Sequence, residues 1–353
     1  MEDIERTGEA LLERFDISDT EVSRQIKTMP EQIETALEAE LPQLPETGKI
    51  CICGVGTSAM AGDIISDYAG GFSSVPLPVI RGIDLPNWVK NDTAVIIISY
   101  SGDTTEMLYL QKEAVKRKCP VVCVTSGGEL GKRCDEKGYG IKVQLPSGML
   151  SRCALGSMVG HLGAVLEDMG FCEFREPMRA MLPELKKLRD SFNEENSTPD
   201  GFAEALVERI PVIYSLANMR SASMRWKFQI NENAKMVAFF GTIPGFNHNE
   251  IIGWTEDKTS ADFVPVVIYD DGASEVLRYM TDSTLGVLMD KGLDVQVYHV
   301  RGGSNLEKNL RCILLGDYIS LRLAQMRSTD PDQEYAVYDA KEKISDGEES
   351  DKD

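Results

Sequence analysis

The sequence predicts an α/β protein of two parallel-sheet domains with an N-terminal helix, and three observations carry that expectation. From Lys49 onward, short apolar runs alternate with helical stretches of roughly ten to fifteen residues, as βαβ units do. The same alternation resumes after the polar stretch Asn193 to Gly201. The chain has 353 residues, and at about 100 to 200 residues per domain that is room for two cores.

Before the first strand, Ile26, Met29, Ile33, Leu37 and Leu41 are spaced by three and four, which reads as one amphipathic helix packed outside the first domain. Strands are then expected at Ile50 to Val55, Val75 to Ile80, Ala94 to Ser99, Val121 to Val124 and Ile141 to Leu145. A helical block between Leu155 and Leu188 carries Gly156, Gly160, Gly163 and Ala164, small residues that permit close helix packing. Further strands are expected at Pro211 to Ser215, Val264 to Tyr269 and Val295 to Val300, with Val237 to Phe246 read as an apolar loop. The resulting division is residues 1–48, a first domain over 49–190, a second over 200–330, and a terminal helix with an acidic tail over 331–353.

Composition narrows the function. Hydrophobic residues make up 42% and charged residues 27%, ordinary for a globular chain. The 57 acidic against 37 basic residues leave a net charge of −20, which repels phosphate backbones and argues against nucleic acid as a partner. Apolar runs such as Ala94 to Ile98 are far shorter than the ~18 residues a membrane span needs. The start, Met1-Glu2-Asp3-Ile4-Glu5, is acidic where a secretory signal is basic and then apolar, so a cytoplasmic location is expected. Eight scattered cysteines suit reduced thiols, and Cys51 and Cys53, on one face of a strand with no second Cys or His pair, read as small core residues. Of the three histidines, His161 reads as a core residue with a bonded ring, and His299 closes a strand beside Arg301.

Two glycine- and hydroxyl-rich junctions stand where strands turn into helices. The first, Gly54-Val55-Gly56-Thr57-Ser58, lets the backbone approach an anion, and the helix amides behind it attract one. It also matches a loose dinucleotide fingerprint, but the next strand ends Ile80-Arg81-Gly82 without the acid that would hold a ribose, and a plain tight turn is the third reading. The second, Ser99-Tyr100-Ser101-Gly102-Asp103-Thr104-Thr105, bunches hydroxyls at the carboxyl edge of a parallel strand, where ligands bind. A helix cap accounts for one or two of these hydroxyls; a phosphate accounts for all of them. Thr125-Ser126-Gly127-Gly128 is consistent with the rim of the same crevice. Arg152, delivered by the breaker-rich loop Pro146 to Ser151, is either an ordinary cap or a cation for developing oxyanion charge. In the second half, Asn231-Glu232-Asn233 interrupts an apolar helix, and Asn247-His248-Asn249-Glu250 follows, so Glu232 and His248 could form an acid and base pair.

Taken together, the Gly-x-Gly-x-Ser turn, Ser-Tyr-Ser-Gly-x-Thr, the loop arginine, Asn-Glu-Asn-Ala-Lys and Asn-His-Asn-Glu resemble the archaeal bifunctional phosphoglucose/phosphomannose isomerase family, within the sugar isomerase (SIS) fold. The resemblance runs from about Leu41 to Ile344 and implies two SIS-type, flavodoxin-like sandwich domains. It implies an aldose-ketose isomerase that interconverts glucose 6-phosphate, and mannose 6-phosphate, with fructose 6-phosphate and needs no cofactor. Gly56, Ser58, Ser99, Ser101 and Thr104 would hold the sugar phosphate, Arg152 would face a cis-enediolate, and Glu232 would shuttle the proton between C1 and C2. His248, reaching in from the partner of a homodimer, would assist ring opening with Lys341, or with Lys343 as the fallback. Thr57, Ser151 and Asp332-Gln333 depart from residues common in the family, the last of these near elements tied there to accepting the mannose epimer. Two other classes stay in view: a SIS module that senses phosphosugars without turnover, which has no need of Glu232, Arg152 and His248 together, and a nucleotide-dependent dehydrogenase.

Overall fold

A computed structural model of the protein describes residues 16–335. The first sheet has five parallel strands in the order β2-β1-β3-β4-β5, formed by β1 Ile50–Cys53, β2 Val79–Ile80, β3 Ala94–Ile98, β4 Val121–Thr125 and β5 Ile141–Gln144. β1, β3 and β4 are buried along their whole length, which is why they read as unbroken apolar runs. The expected strand Val75 to Ile80 shrinks to its last two residues, because Pro76 and Pro78 cannot donate to a ladder and confine the segment to a sheet edge.

Helices α3 Gly56–Ala69, α4 Thr105–Lys116 and α5 Gly128–Lys137 make the crossovers of this sheet. Met107, Leu110, Ala114 and Leu130 of α4 and α5 pack with Cys51, Cys53, Val95 and Ile97 on one face. Cys51 and Cys53 are fully buried with sulfurs 3.8 Å apart, the core role read from their spacing. The other face belongs to a larger core shared with α6 Leu155–Asp168 and α7 Arg175–Ser191.

The single N-terminal helix expected from the periodicity is in fact two, α1 Glu21–Ile26 and α2 Met29–Leu37, with Leu41 beyond both. Pro30 sits in the first turn of α2, where a missing N–H costs nothing, so it opens a new helix. Nor does the pair lie outside the first domain: Ile26 and Ile33 are buried in the shared core, and α2 packs against α6 and α7. The small residues of α6 make this possible. A Cβ on Gly160 would stand 2.4 Å from the Ala36 Cβ, so any side chain there would push the two helices apart. His161 on α6 is buried, with Nδ1 2.8 Å from the Ser157 carbonyl oxygen, as its sequence setting indicates.

The second sheet has four parallel strands in the order β7-β6-β8-β9, formed by β6 Ile210–Leu216, β7 Phe239–Ile243, β8 Phe263–Asp270 and β9 Gln296–Val300. β7 corrects the reading of Val237 to Phe246 as a loop: the segment is an edge strand, paired with β6 from Val212↔Phe239 to Leu216↔Ile243. Helices α8 Thr198–Leu206, α9 Arg220–Ala234, α10 Glu250–Glu256, α11 Glu275–Asp290 and α12 Asn305–Met326 surround this sheet. α9 and α12 pack on its inner face and extend the same core that covers the first sheet, while α10 and α11 cover the outer face around Tyr214 and Phe246. Among the described residues no helix is long and apolar enough to cross a membrane.

One polar contact between the two halves has a pH signature. Asp67 on α3 lies 3.1 Å from the Ser221 hydroxyl on α9, which also stands 2.9 Å from Asn309 Oδ1 on α12. Burial pushes the Asp67 carboxyl up to about 6, against the Ser221 hydrogen bond, and the nearby Asp63 adds to the rise. Between the ordinary value of 3.8 and about 6 the folded chain holds the proton more tightly than the unfolded chain. The associated stability is therefore present in full below the unfolded value and is lost as pH rises through about 6. Asp67→Asn is expected to be more stable than the parent at neutral pH by on the order of 2 kcal/mol, with the gain disappearing below about pH 4. Denaturant melts of both proteins across that range check it, and a gain that persists in acid would contradict it.

Candidate active site

The order of the first sheet reverses between β1 and β3, and their carboxyl ends open the crevice where parallel sheets of this kind bind ligands. Both glycine- and hydroxyl-rich junctions of the sequence end there. After β1, Gly56 takes a positive φ of +55° at the first residue of α3, and Ser58 follows in the first turn, its hydroxyl 3.4 Å from the Met158 sulfur on α6. After β3, Ser99 Oγ and Thr104 Oγ1 are 2.9 Å apart, and the Gly102 amide donates to Ser99 Oγ at 3.1 Å. The Asp103 amide donates to the exposed Ser101 hydroxyl at 3.3 Å. Thr104 occupies the N-cap position of α4 without a side-chain cap bond, so its hydroxyl is turned into the loop and not onto its helix. The Thr104 hydroxyl therefore bonds to Ser99 and does not cap its own helix.

This hydroxyl-bearing loop keeps its shape through close backbone contact with the neighbouring loop. Gly102 has φ +77°, and a Cβ there would stand 1.9 Å from the Gly127 carbonyl oxygen. Thr125 and Ser126 serve this packing: the Ser126 hydroxyl donates to the Tyr100 carbonyl at 2.7 Å, and the Gly127 amide donates to the Thr125 hydroxyl at 3.2 Å. Gly102→Ala is expected to cost about 2 to 4 kcal/mol of stability, from the left-handed backbone and the clash together. In whatever folds, it is also expected to raise KM for a sugar phosphate; parent-like stability and KM would contradict both.

A second cluster lies between the halves. Arg152 sits in a short 3-10 turn, Ser151–Cys153, and is only 5% exposed, so it is no surface charge. Its Nη2 donates to the Pro331 carbonyl at 2.8 Å, its Nη1 pairs with Glu334, and its buried Nε has no partner among the described residues. The segment carrying Glu334 is held at its other end by Asp332, whose carboxylate accepts from the backbone amides of Glu21 and Val22 at 2.8 Å each, at the start of α1. That is what the departure at Asp332 does in this chain.

Glu232 comes from the last turn of α9, partly accessible among buried neighbours. Gln229 Nε2 donates to its Oε2 at 3.2 Å. Burial pushes the Glu232 carboxyl above the ordinary carboxylate value, against the pull of Arg225 and then of Arg152. The structure therefore brings Glu232 and Arg152 into one electrostatic cluster, and α3, which carries Ser58, packs against both α9 and the Arg152 turn. A carboxylate, a cation and a group of hydroxyls are the side-chain types that proton transfer next to a carbonyl on an anionic ligand uses.

His248 stands apart. It is exposed at the end of a 3-10 turn, Gly245–His248, after β7. The turn is fixed on α11 by Asn247, which accepts from the Thr284 hydroxyl at 2.6 Å and donates to the Met280 carbonyl at 3.4 Å. Glu250 is taken up by the Tyr214 hydroxyl at 2.8 Å. Lys341 and Lys343 lie outside the described residues.

Sequence reading missed the groups beneath the site. Arg225 is fully buried, bound to Asp317 on α12 through Nε at 2.7 Å and Nη2 at 3.0 Å. The available signal was a charge inside an apolar stretch: Arg225 between Met224 and Trp226, and Asp317 between Gly316 and Tyr318.

Two parallel sheets on one continuous helical core make the chain a double-SIS-domain protein, and the E. coli tagatose-6-phosphate ketose/aldose isomerase superimposes with a TM-score of 0.69 at 15% identity, over 90% of this chain and 96% of that one. A family model described as the bacterial phospho-glucose isomerase C-terminal SIS domain matches residues 195–344. The chain belongs to the bifunctional phosphoglucose/phosphomannose isomerase family. The member from Aquifex aeolicus (strain VF5) is 32% identical over 283 residues, 80% of this chain and 86% of that protein. The member from Caldicellulosiruptor bescii is 28% identical over 318 residues, 87% of this chain and 94% of that protein.

Proposed function

We propose that the protein interconverts glucose 6-phosphate and mannose 6-phosphate with fructose 6-phosphate in the cytoplasm, moving one proton between C1 and C2 through a cis-enediolate. The observation that carries this reading is the half-buried Glu232 at the end of α9, the helix whose Arg225 clamps the Arg152 turn through the Arg152 carbonyl at 2.9 Å. A phosphosugar sensor would have no use for such a group. An aldose C2 hydrogen is a poor acid, so its removal needs a positioned base and a stabiliser for the charge that develops. Glu232 takes the proton from one carbon and returns it to the next, and Arg152 faces the enediolate oxygens. Ser58, Ser99, Ser101 and Thr104, with the Gly56 turn, anchor the remote phosphate, whose binding energy fixes the open-chain sugar against the base.

Ring opening falls to His248 of a partner subunit, with Lys341 or Lys343. An exposed apolar face next to the His248 turn supports a homodimer: Ile252 of α10 is 61% exposed, and Val276 and Tyr279 of α11 are 64% and 73% exposed. The test is a coupled assay of both hexose 6-phosphates on the purified protein. Turnover of both is expected; tight binding without isomerisation would replace the enzyme with a sensor.

A further inference from the structure

Beneath the candidate base lies a buried polar column. Arg225, Gln229 and Glu232 are spaced by four and three on α9 and share one helix face. Asn233 donates to Gln229 Oε1 at 3.1 Å and to the Ser320 hydroxyl at 2.9 Å, which leaves the Gln229 amide hydrogens for Glu232 Oε2. Arg225 does two things at once. Its Nη2 donates to the Arg152 carbonyl at 2.9 Å, tying the Arg152 turn to α9, while the Asp317 carboxylate holds its fork in place. Its Nη1, also buried, has no partner among the described residues. A well-packed apolar pair in place of such an ion pair is often neutral or stabilising, so stability alone gives little reason to keep charges here.

We infer that Arg225 is a positioning residue for the isomerisation, a buried cation that fixes the Arg152 turn and sets the charge environment in which Glu232 takes up its proton. The inference rests on the reading of Glu232 as the base. The charged and titratable groups around Glu232 are Arg225 from its own helix, Lys235 just past the end of that helix, Asp317 from α12, and Arg152 and Cys153 from the turn, with Glu334 on the far nitrogen of Arg152. Among the groups that pull its carboxyl down, Arg225 comes first, ahead of Arg152, and Asp317 opposes them more weakly. Removing Arg225 and Asp317 together therefore leaves no orphaned charge and still raises the pH at which Glu232 ionises.

The pH dependence of kcat/KM for fructose 6-phosphate in three variants tests this. In the double variant Arg225→Met with Asp317→Leu, the acid limb is expected to move up by about one pH unit. Arg225→Lys keeps the charge, so its limb stays at the parent position; it loses the fork that reaches Asp317 and the Arg152 carbonyl together, and kcat falls about ten-fold at unchanged KM. Arg225→Gln also loses the charge but leaves Asp317 without its ion-pair partner, so its limb moves up at least as far as in the double variant and supplies the reading if that variant does not fold. An acid limb fixed at the parent position in the charge-removing variants, or parent kcat in Arg225→Lys, overturns the inference. Glu232→Gln separates the two readings: full activity there means the base is misassigned, whereas an inactive Glu232→Gln with an immobile limb in the Arg225 series sinks only the role of Arg225.

Discussion

Glu232→Gln is expected to lower kcat for isomerisation of fructose 6-phosphate by about 10² to 10⁴-fold, the range a general base contributes, with KM close to the parent value. The amide is nearly the same size as the carboxylate, and its carbonyl can still accept the Gln229 hydrogen bond, so neither the α9 helix nor the column below it should shift. Stability supplies an independent check on folding. Because burial raises the folded-state carboxyl above its ordinary value, its ionisation weakens the fold as pH rises through that value, and replacing it with a neutral group removes the penalty. The variant should therefore melt no lower than the parent at pH 7 while being nearly inactive. Parent-like turnover in a folded variant would remove Glu232 from the chemistry.

Arg152→Met should come next in size, with kcat reduced by about 10² to 10³-fold, as when a preorganised donor is taken from a developing oxyanion. Only the guanidinium is lost. The clamp from Arg225 reaches the backbone carbonyl of Arg152, so the turn keeps its anchor. Glu334 loses its ion-pair partner, but Asp332 still holds that segment on the start of α1. Arg152→Lys should recover only part of the rate, because a point charge cannot serve the Pro331 carbonyl, Glu334 and an incoming oxygen as a planar fork can. An unchanged kcat in Arg152→Met would show that the guanidinium takes no part in turnover.

How legible these groups were depends on how locally each is specified. Ser99, Gly102 and Thr104 lie within six residues and bond to one another, so their chemistry is visible in the sequence itself. Glu232 is visible as a polar break in an apolar helix. Arg225 and Asp317 are 92 residues apart, and either alone looks like a surface charge; only the packing of α9 on α12 makes them a buried pair. The Asp332 clamp on α1 joins positions 310 and 311 residues apart, with no local trace at either end. β7 was hidden for another reason. At the sheet edge its residues are mostly half-exposed, and Phe239 is 49% exposed, so the buried apolar run that marks a central parallel strand is missing. The break between α1 and α2 was within reach, since Pro30 fits a first turn and not a helix interior.

The sequence by itself determined the alternation of strands and helices and the clustering of hydroxyls at the carboxyl end of β3, because each is encoded by neighbours a few residues apart. The tertiary structure decided that these hydroxyls come from the carboxyl edge of one sheet while the Glu232 carboxylate arrives from the end of α9, at the amino edge of the other. It also decided that Arg152 is buried under the segment around Pro331 and Glu334. Burial and charge pairing between distant segments are properties of the packed core, and they set the ionisation of Glu232, which no stretch of sequence around it specifies.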